Sequence, residues 1–226
     1  MASKSAKNQQ SFDIDKAMRI LRKEYAKWNT PSITLIATHH KSPFMVLVAT
    51  IISLRTRDDV TIEAASRLFE KAKTPQEMVK LPVKTIAKLI YPCAFYENKA
   101  VQIKEASQRI IKEFGGKVPS DIDTLLTFRG VGRKTANLVL SEGYGIPAMC
   151  VDTHVHRISN RFGYVNTKTP EQTEIELRKK LPKKYWGDYN AILVSFGQTI
   201  CKPISPLCSQ CPVEKICPKK GVKKHR

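Results

Sequence analysis

Four cysteines, Cys201, Cys208, Cys211 and Cys217, carry the spacing C-x6-C-x2-C-x5-C near the end of the chain. Four thiolates within seventeen residues suffice to hold a cubane [4Fe–4S] cluster. Zinc is the competing reading, although structural zinc sites more often pair two short knuckles and only Cys208 and Cys211 are closely spaced here. In a reducing compartment such clustering points to metal or cluster ligation rather than disulfides. The remaining two cysteines, Cys93 and Cys150, stand apart and read as ordinary buried thiols.

A second chemistry is written in residues 121–140, DIDTLLTFRGVGRKTANLVL. The segment reads as a short helix, a tight turn at Gly130-Val131-Gly132, and a second helix beginning near Arg133. Glycines permit a turn that aims consecutive backbone N–H groups outward beside the positive end of the second helix, a geometry that suits a phosphate oxygen. Gly130, Gly132 and Arg133 are therefore candidate nucleic-acid contacts, with Phe128 and Val131 packing the two helices together. Lys134 lies in the first turn of the second helix, where the macrodipole disfavours an ammonium and so favours the nucleophilic free amine. The plainer role for this lysine is a phosphate contact.

Asp152, in the segment VDTHVHRISNRFG, stands where a helix N-cap belongs. Capping would keep the carboxylate ionised, as needed to stabilise positive charge or to accept a proton. His154 and His156 follow; they read as structural or DNA-contacting groups rather than acid–base catalysts.

The balance of the chain agrees with an anionic partner. Thirty-nine Lys and Arg against twenty Asp and Glu give a formal charge of +19 over 226 residues, and a polyanion is the expected partner of such an imbalance. Basic residues run from Lys4 to Arg226, so charge alone does not separate duplex DNA from RNA or an anionic membrane. The longest apolar stretch, 44–52, is far short of the roughly 20 residues a spanning helix needs, and the N-terminus lacks an apolar signal segment. The chain is expected to be globular and intracellular.

The elements that must position these groups are helices. Residues 1–10 are polar and expected to be disordered, after which Ile14, Met18, Leu21, Tyr25 and Trp28 recur at helical spacing. Capping chemistry marks further starts at Ser42 before Pro43, at Thr74-Pro75 with Glu77, at Ser120 with Asp123, and at Thr169-Pro170 with Gln172. Ile103, Ile110, Ile111 and Phe114 form a stripe ended by Gly115-Gly116, and no segment alternates as a half-buried strand would. The fold class predicted is all-α, with roughly ten helices.

The stretches GVGRKTANLVL and VDTHVHRISNRFG closely resemble the active-site segments of the endonuclease III family of helix-hairpin-helix DNA glycosylases, and the resemblance runs from about Ser42 to Cys217. It implies Lys134 as nucleophile and Asp152 as the assisting carboxylate, a [4Fe–4S] cluster on the four cysteines, and His154 as a DNA contact. By the same matching of motifs, Arg55 in SLRTRD and Phe95 in CAFY occupy the positions that wedge into the base stack; the competing readings are a phosphate contact for Arg55 and a core aromatic for Phe95. The layout implied is a six-helix domain with the hairpin at 36–146 and an iron–sulfur domain made by 1–35 and 147–226, with Lys134 and Asp152 facing across a DNA cleft.

The implied function is base excision repair by a DNA N-glycosylase and apurinic or apyrimidinic site lyase. It would act as a monomer on double-stranded DNA carrying a damaged, oxidised pyrimidine or an abasic site, in the cytoplasm and nucleoid of a prokaryote and not at a membrane. Three departures touch lesion choice: the family commonly has glutamine where Arg55 stands, proline at Arg129 and an acidic residue near Leu126. The rivals are a monofunctional mismatch glycosylase, against which Lys134 argues, and a non-enzymatic DNA-binding module, which has no use for a lysine–aspartate pair.

Overall fold

The computed structural model describes residues 12–226, so the polar segment 1–10 lies outside the described residues. Twelve α-helices and no strand occur among the described residues, as the absence of two-residue alternation requires. In chain order they are α1 (Ile14–Tyr25), α2 (Ser32–His40), α3 (Pro43–Ser53), α4 (Asp58–Phe69), α5 (Pro75–Met78), α6 (Val83–Ile90), α7 (Tyr96–Phe114), α8 (Ile122–Leu126), α9 (Arg133–Leu138), α10 (Thr153–Arg161), α11 (Pro170–Lys180) and α12 (Tyr189–Thr199). The chain divides into two compact units. One comprises Thr30–Cys150 with Leu181–Ala191, and the other comprises the residues up to Asn29, Val151–Lys180 and Ile192–Arg226.

The first of these, the helical unit, is built around α3. Every residue from Phe44 to Ile52 is buried, because a helix apolar on all faces has no side to offer water and must sit at the centre of a bundle. The 44–52 stretch is thus a core helix, and no described helix is long and apolar enough to cross a membrane. Ile103 and Ile110 of α7 and Ala136 of α9 pack against it, and Ile86 and Ile90 of α6 extend the same core beyond α7, all fully buried.

Its ends are set by local chemistry. Ser42 caps α3 through the Met45 N–H, and Thr74 with Glu77 forms a complete capping box on α5. Gly115 ends α7 in the left-handed conformation at φ 59°. At α8 the cap is Asp121 rather than Ser120: its Oδ1 accepts from Thr124 N at 2.7 Å. Two adjacent capping residues compete there, and the one that reaches the third helical N–H wins. After α9 the backbone widens into a π turn at Val139–Gly143, a departure that often accompanies functional sites.

The second unit joins the two ends of the chain through aromatic packing. Phe12 stacks on Phe162 with ring centroids 4.5 Å apart, and Trp28 meets Phe196 at 5.3 Å. Ser195 Oγ donates to Asn29 O at 2.8 Å. Met18 and Leu21 from α1 are fully buried, as are Val155 and Ile158 of α10.

Candidate functional site

In the helical unit the hairpin consists of α8, the turn through Gly130 and Gly132, and α9. Phe128 and Val131 are both buried and tie the turn down, as their apolar character requires. The Arg109 guanidinium lies 4.5 Å from the Phe128 ring centroid and donates through Nη1 to Thr127 O at 3.0 Å. Only Gly130 has positive φ, at 81°, and a Cβ there would lie 2.6 Å from Gln102 Oε1. Gly132 is the extended N-cap of α9, at φ −96° and ψ 179°, and supplies no side chain to the first N–H groups of that helix.

Lys134 is the second residue of α9 and half-buried, with Arg133 exposed beside it. Thr135, Ala136, Asn137 and Leu138 are buried, so the rest of α9 is anchored in the core while its first turn faces outward. The Cys150 thiol, itself buried, donates to Lys134 O at 3.7 Å.

On the same unit the structure brings Arg55 and Phe95 together: the guanidinium carbon lies 5.8 Å from the ring centroid. Both are exposed, Phe95 to 60%, which removes the core-aromatic reading. Both also hold left-handed backbone, at φ 55° and 56°. Leu54 has φ −58° and ψ 117°, and Thr56 N donates to Ser53 O at 3.0 Å. Arg55 therefore occupies the corner of a type II turn that ordinarily belongs to glycine. Strain of this kind, about 1–3 kcal/mol per residue, persists where surrounding structure imposes it.

The surrounding structure is Lys99, which sequence reasoning missed. It is 4% exposed, and its Nζ donates to Ile52 O at 2.7 Å, Leu54 O at 2.6 Å and Thr56 Oγ1 at 3.0 Å. Burial lowers its pKa to about 8. Its signal in the sequence was slight, a lysine on the buried face of α7. Of the other two departures, Arg129 pairs with Glu105 at 3.2 Å, and Leu126 packs partly buried against the core.

The second unit holds Asp152 and the cysteines. Asp152 caps α10, its Oδ1 accepting from both His154 N and Val155 N at 2.9 Å. His154 Nδ1 lies 3.1 Å from Arg157 Nη2, and His156 Nδ1 lies 2.7 Å from Thr173 Oγ1. Gly197 is what lets α12 lie against this face: a Cβ there would be 2.5 Å from His154 Nδ1 and 2.9 Å from Arg157 Nη2.

Cys201, Cys208, Cys211 and Cys217 line a single pocket, together with Arg161, Phe162 and Phe196. Two arginines of α10 hold the loop. Arg157 Nη2 donates to Cys201 O at 3.0 Å, and Arg161 donates to Cys201 Sγ at 3.3 Å, Lys202 O at 2.7 Å and Pro203 O at 2.6 Å. Burial, with the neighbouring thiols, pushes the Cys211 thiol up to about 12, so it ionises only against a positive centre. Four cysteine thiols lining one pocket are the donor set of an iron–sulfur centre.

Residues 48–183 match the model of the HhH-GPD superfamily of base excision DNA repair proteins. Endonuclease III of Thermotoga maritima is 48% identical over 181 residues, covering 79% of this chain and 85% of that protein. Among solved structures, a non-covalent endonuclease III–DNA complex superposes with a TM-score of 0.81 at 33% identity, covering 91% of this chain and 94% of that one. A trapped covalent endonuclease III–DNA intermediate, an estranged-adenine complex, gives 0.76 at 32% identity over 92% and 97%. The helix-hairpin-helix fold thus defines a base excision repair protein. Within that class, the chain belongs to the endonuclease III family.

Proposed function

We propose that this protein is a bifunctional DNA glycosylase and AP lyase that removes oxidised pyrimidines from duplex DNA, with Lys134 as nucleophile and Asp152 as the assisting carboxylate. The observation that carries the reading is the position of Lys134 in the outward first turn of α9, directly after the Gly130 turn, in a chain of this family.

The hairpin supplies uncapped N–H groups and the exposed Arg133 to a backbone phosphate, which positions the duplex without reading its sequence. The neutral Lys134 amine attacks C1′ of the damaged nucleoside, and the C1′–N bond breaks as its electron pair leaves with the base. The adduct opens to a Schiff base. Loss of the acidified 2′ proton then expels the 3′ phosphate by β-elimination, and water releases the lysine. Asp152 keeps Oδ2 for this work while Oδ1 caps α10; it takes the proton from Lys134 or stabilises positive charge at C1′. Arg55 and Phe95, adjacent and exposed, fill the gap when the base leaves the stack, and His154, in the first turn of α10, is a further DNA contact.

Cys201, Cys208, Cys211 and Cys217 hold a [4Fe–4S] cluster, which when bound braces the loop. The lysines around it, Lys202, Lys215, Lys219 and Lys220, give that loop a basic surface for the backbone. The protein works as a monomer on chromosomal DNA.

Borohydride reduction tests the reading. Wild-type protein is expected to become covalently trapped on duplexes containing thymine glycol or an abasic site, and Lys134→Gln to lose the adduct. Undiminished trapping of that variant would sink the nucleophile assignment. Base release without nicking would favour the monofunctional alternative, and no action on any damaged duplex would favour a binding module.

A further inference from the structure

Lys99 has no part in the proposed reaction's chemistry, yet its side chain lies where the two loops that reading sends into DNA come together. The Arg55 turn hangs from its ammonium, because Ile52 O, Leu54 O and Thr56 Oγ1 all accept from Nζ. The Phe95 loop is reached through Thr56, because the bond from Lys99 N to Phe95 O at 3.0 Å is the first backbone bond of α7 and does not involve the ammonium. Thr56 closes the circuit: its Oγ1 also accepts from Ala94 N at 3.2 Å. A single buried lysine thus fixes two strained residues, Arg55 and Phe95, 5.8 Å apart on one face. The groove between them is lined by Leu54, Arg55, Phe95, Asn98, Lys99 and Gln102.

We infer that Lys99 is a positioning residue for base extrusion, holding Arg55 and Phe95 in the paired, left-handed arrangement that enters the stack.

Simpler needs do not account for the arrangement. The carbonyls at the end of α3 form a helix C-terminus, where one cation is favourable, but that need alone does not call for Thr56 Oγ1 as a third acceptor. Burying an ammonium costs several kcal/mol before its hydrogen bonds are counted. At neutral pH the group is still mainly protonated, given a pKa of about 8, and an ammonium has three donors for its three acceptors. The neighbouring Cys93 thiol is raised by burial and stays neutral beside it. A charge buried to hold two exposed, strained loops is spent on their geometry.

The inference rests on the reading that Arg55 and Phe95 enter DNA, so the experiment separates the two. A wedge matters most when a base must be pulled from the stack and least when no base is present, because extrusion energy is smallest for a site already unpaired. The measurement is kcat/KM on two duplexes, one with thymine glycol and one with an abasic site. Arg55→Ala and Phe95→Ala establish whether the loops matter. Lys99→Met, which keeps the apolar stem, is expected to lose about tenfold more on thymine glycol than on the abasic site. Thr56→Val, a milder change of the same link, should lose in the same direction by about threefold, which guards against misfolding of Lys99→Met.

Equal losses on both substrates, as from a smaller folded fraction, would overturn the inference. So would no loss on either. If Arg55→Ala and Phe95→Ala show the selective loss and the Lys99 and Thr56 variants do not, the wedge stands and Lys99 is only structural. If the alanine variants show no selectivity, the wedge reading itself falls and the inference with it.

Discussion

Asp152 Oδ1 accepts two backbone hydrogen bonds at once, from His154 N and Val155 N, each at 2.9 Å. The residue is therefore a full N-cap, and its proposed chemical role can be separated from that one. Asparagine caps nearly as well as aspartate, whereas alanine does not cap. Asp152→Asn is expected to keep stability within about 0.5 kcal/mol, and Asp152→Ala to lose about 1 kcal/mol. Both should slow single-turnover excision severely. Excision by Asp152→Asn at the wild-type rate would leave Asp152 with the cap alone.

The two hairpin glycines are expected to respond differently. Gly130 has φ 81° and faces the Gln102 side chain, with 2.6 Å left for a Cβ. Gly130→Ala should cost about 1–3 kcal/mol from backbone strain, read as a lower midpoint of urea denaturation. Gly132 has ordinary extended backbone, and a Cβ there meets nothing within 4 Å. Gly132→Ala should therefore fold as the wild type does, while weakening affinity for undamaged duplex, because a methyl now stands where a phosphate approaches. Unchanged affinity at low salt would remove Gly132 from the DNA contacts.

Lys99 makes a prediction about pH. Its pKa is about 8 in the folded protein against 10.5 as the ordinary value, so the unfolded chain holds this proton more tightly. Between those values unfolding takes up a proton, and stability due to this group rises with pH. Below pH 8 both states are charged and the whole cost of burial is present, on the order of 3 kcal/mol. Compared with Lys99→Met, the wild type should gain roughly 2–3 kcal/mol between pH 7.5 and pH 10, measured by urea denaturation of both. Cys93, which faces Lys99 and is raised by burial, is common to both proteins and largely cancels. A flat difference across that range would show that Lys99 is not desolvated.

Much of this molecule was legible one helix at a time. The caps at Ser42, Thr74 and Asp152 depend on groups two or three residues apart, and that is the distance over which sequence speaks directly. The Gly115 stop and the helical stripes are local in the same sense, as is the spacing of the four cysteines. Where two local signals competed, as at Ser120 and Asp121, the reading slipped by one residue.

By itself, then, the sequence determined an all-helical chain, the hairpin that carries Lys134, the cap at Asp152 and a cysteine loop spaced for a cluster. Tertiary structure decided what those elements mean to one another. It placed Arg55 against Phe95 across 40 residues of chain, strained both, and buried Lys99 between their loops. It also turned Arg157 and Arg161 onto the backbone of the cysteine loop some 40 residues away. No pattern of nearby residues encodes such pairs. They arise because the core around α3, and the packing of Phe12 and Trp28 on Phe162 and Phe196, set where each charged group can find its partners.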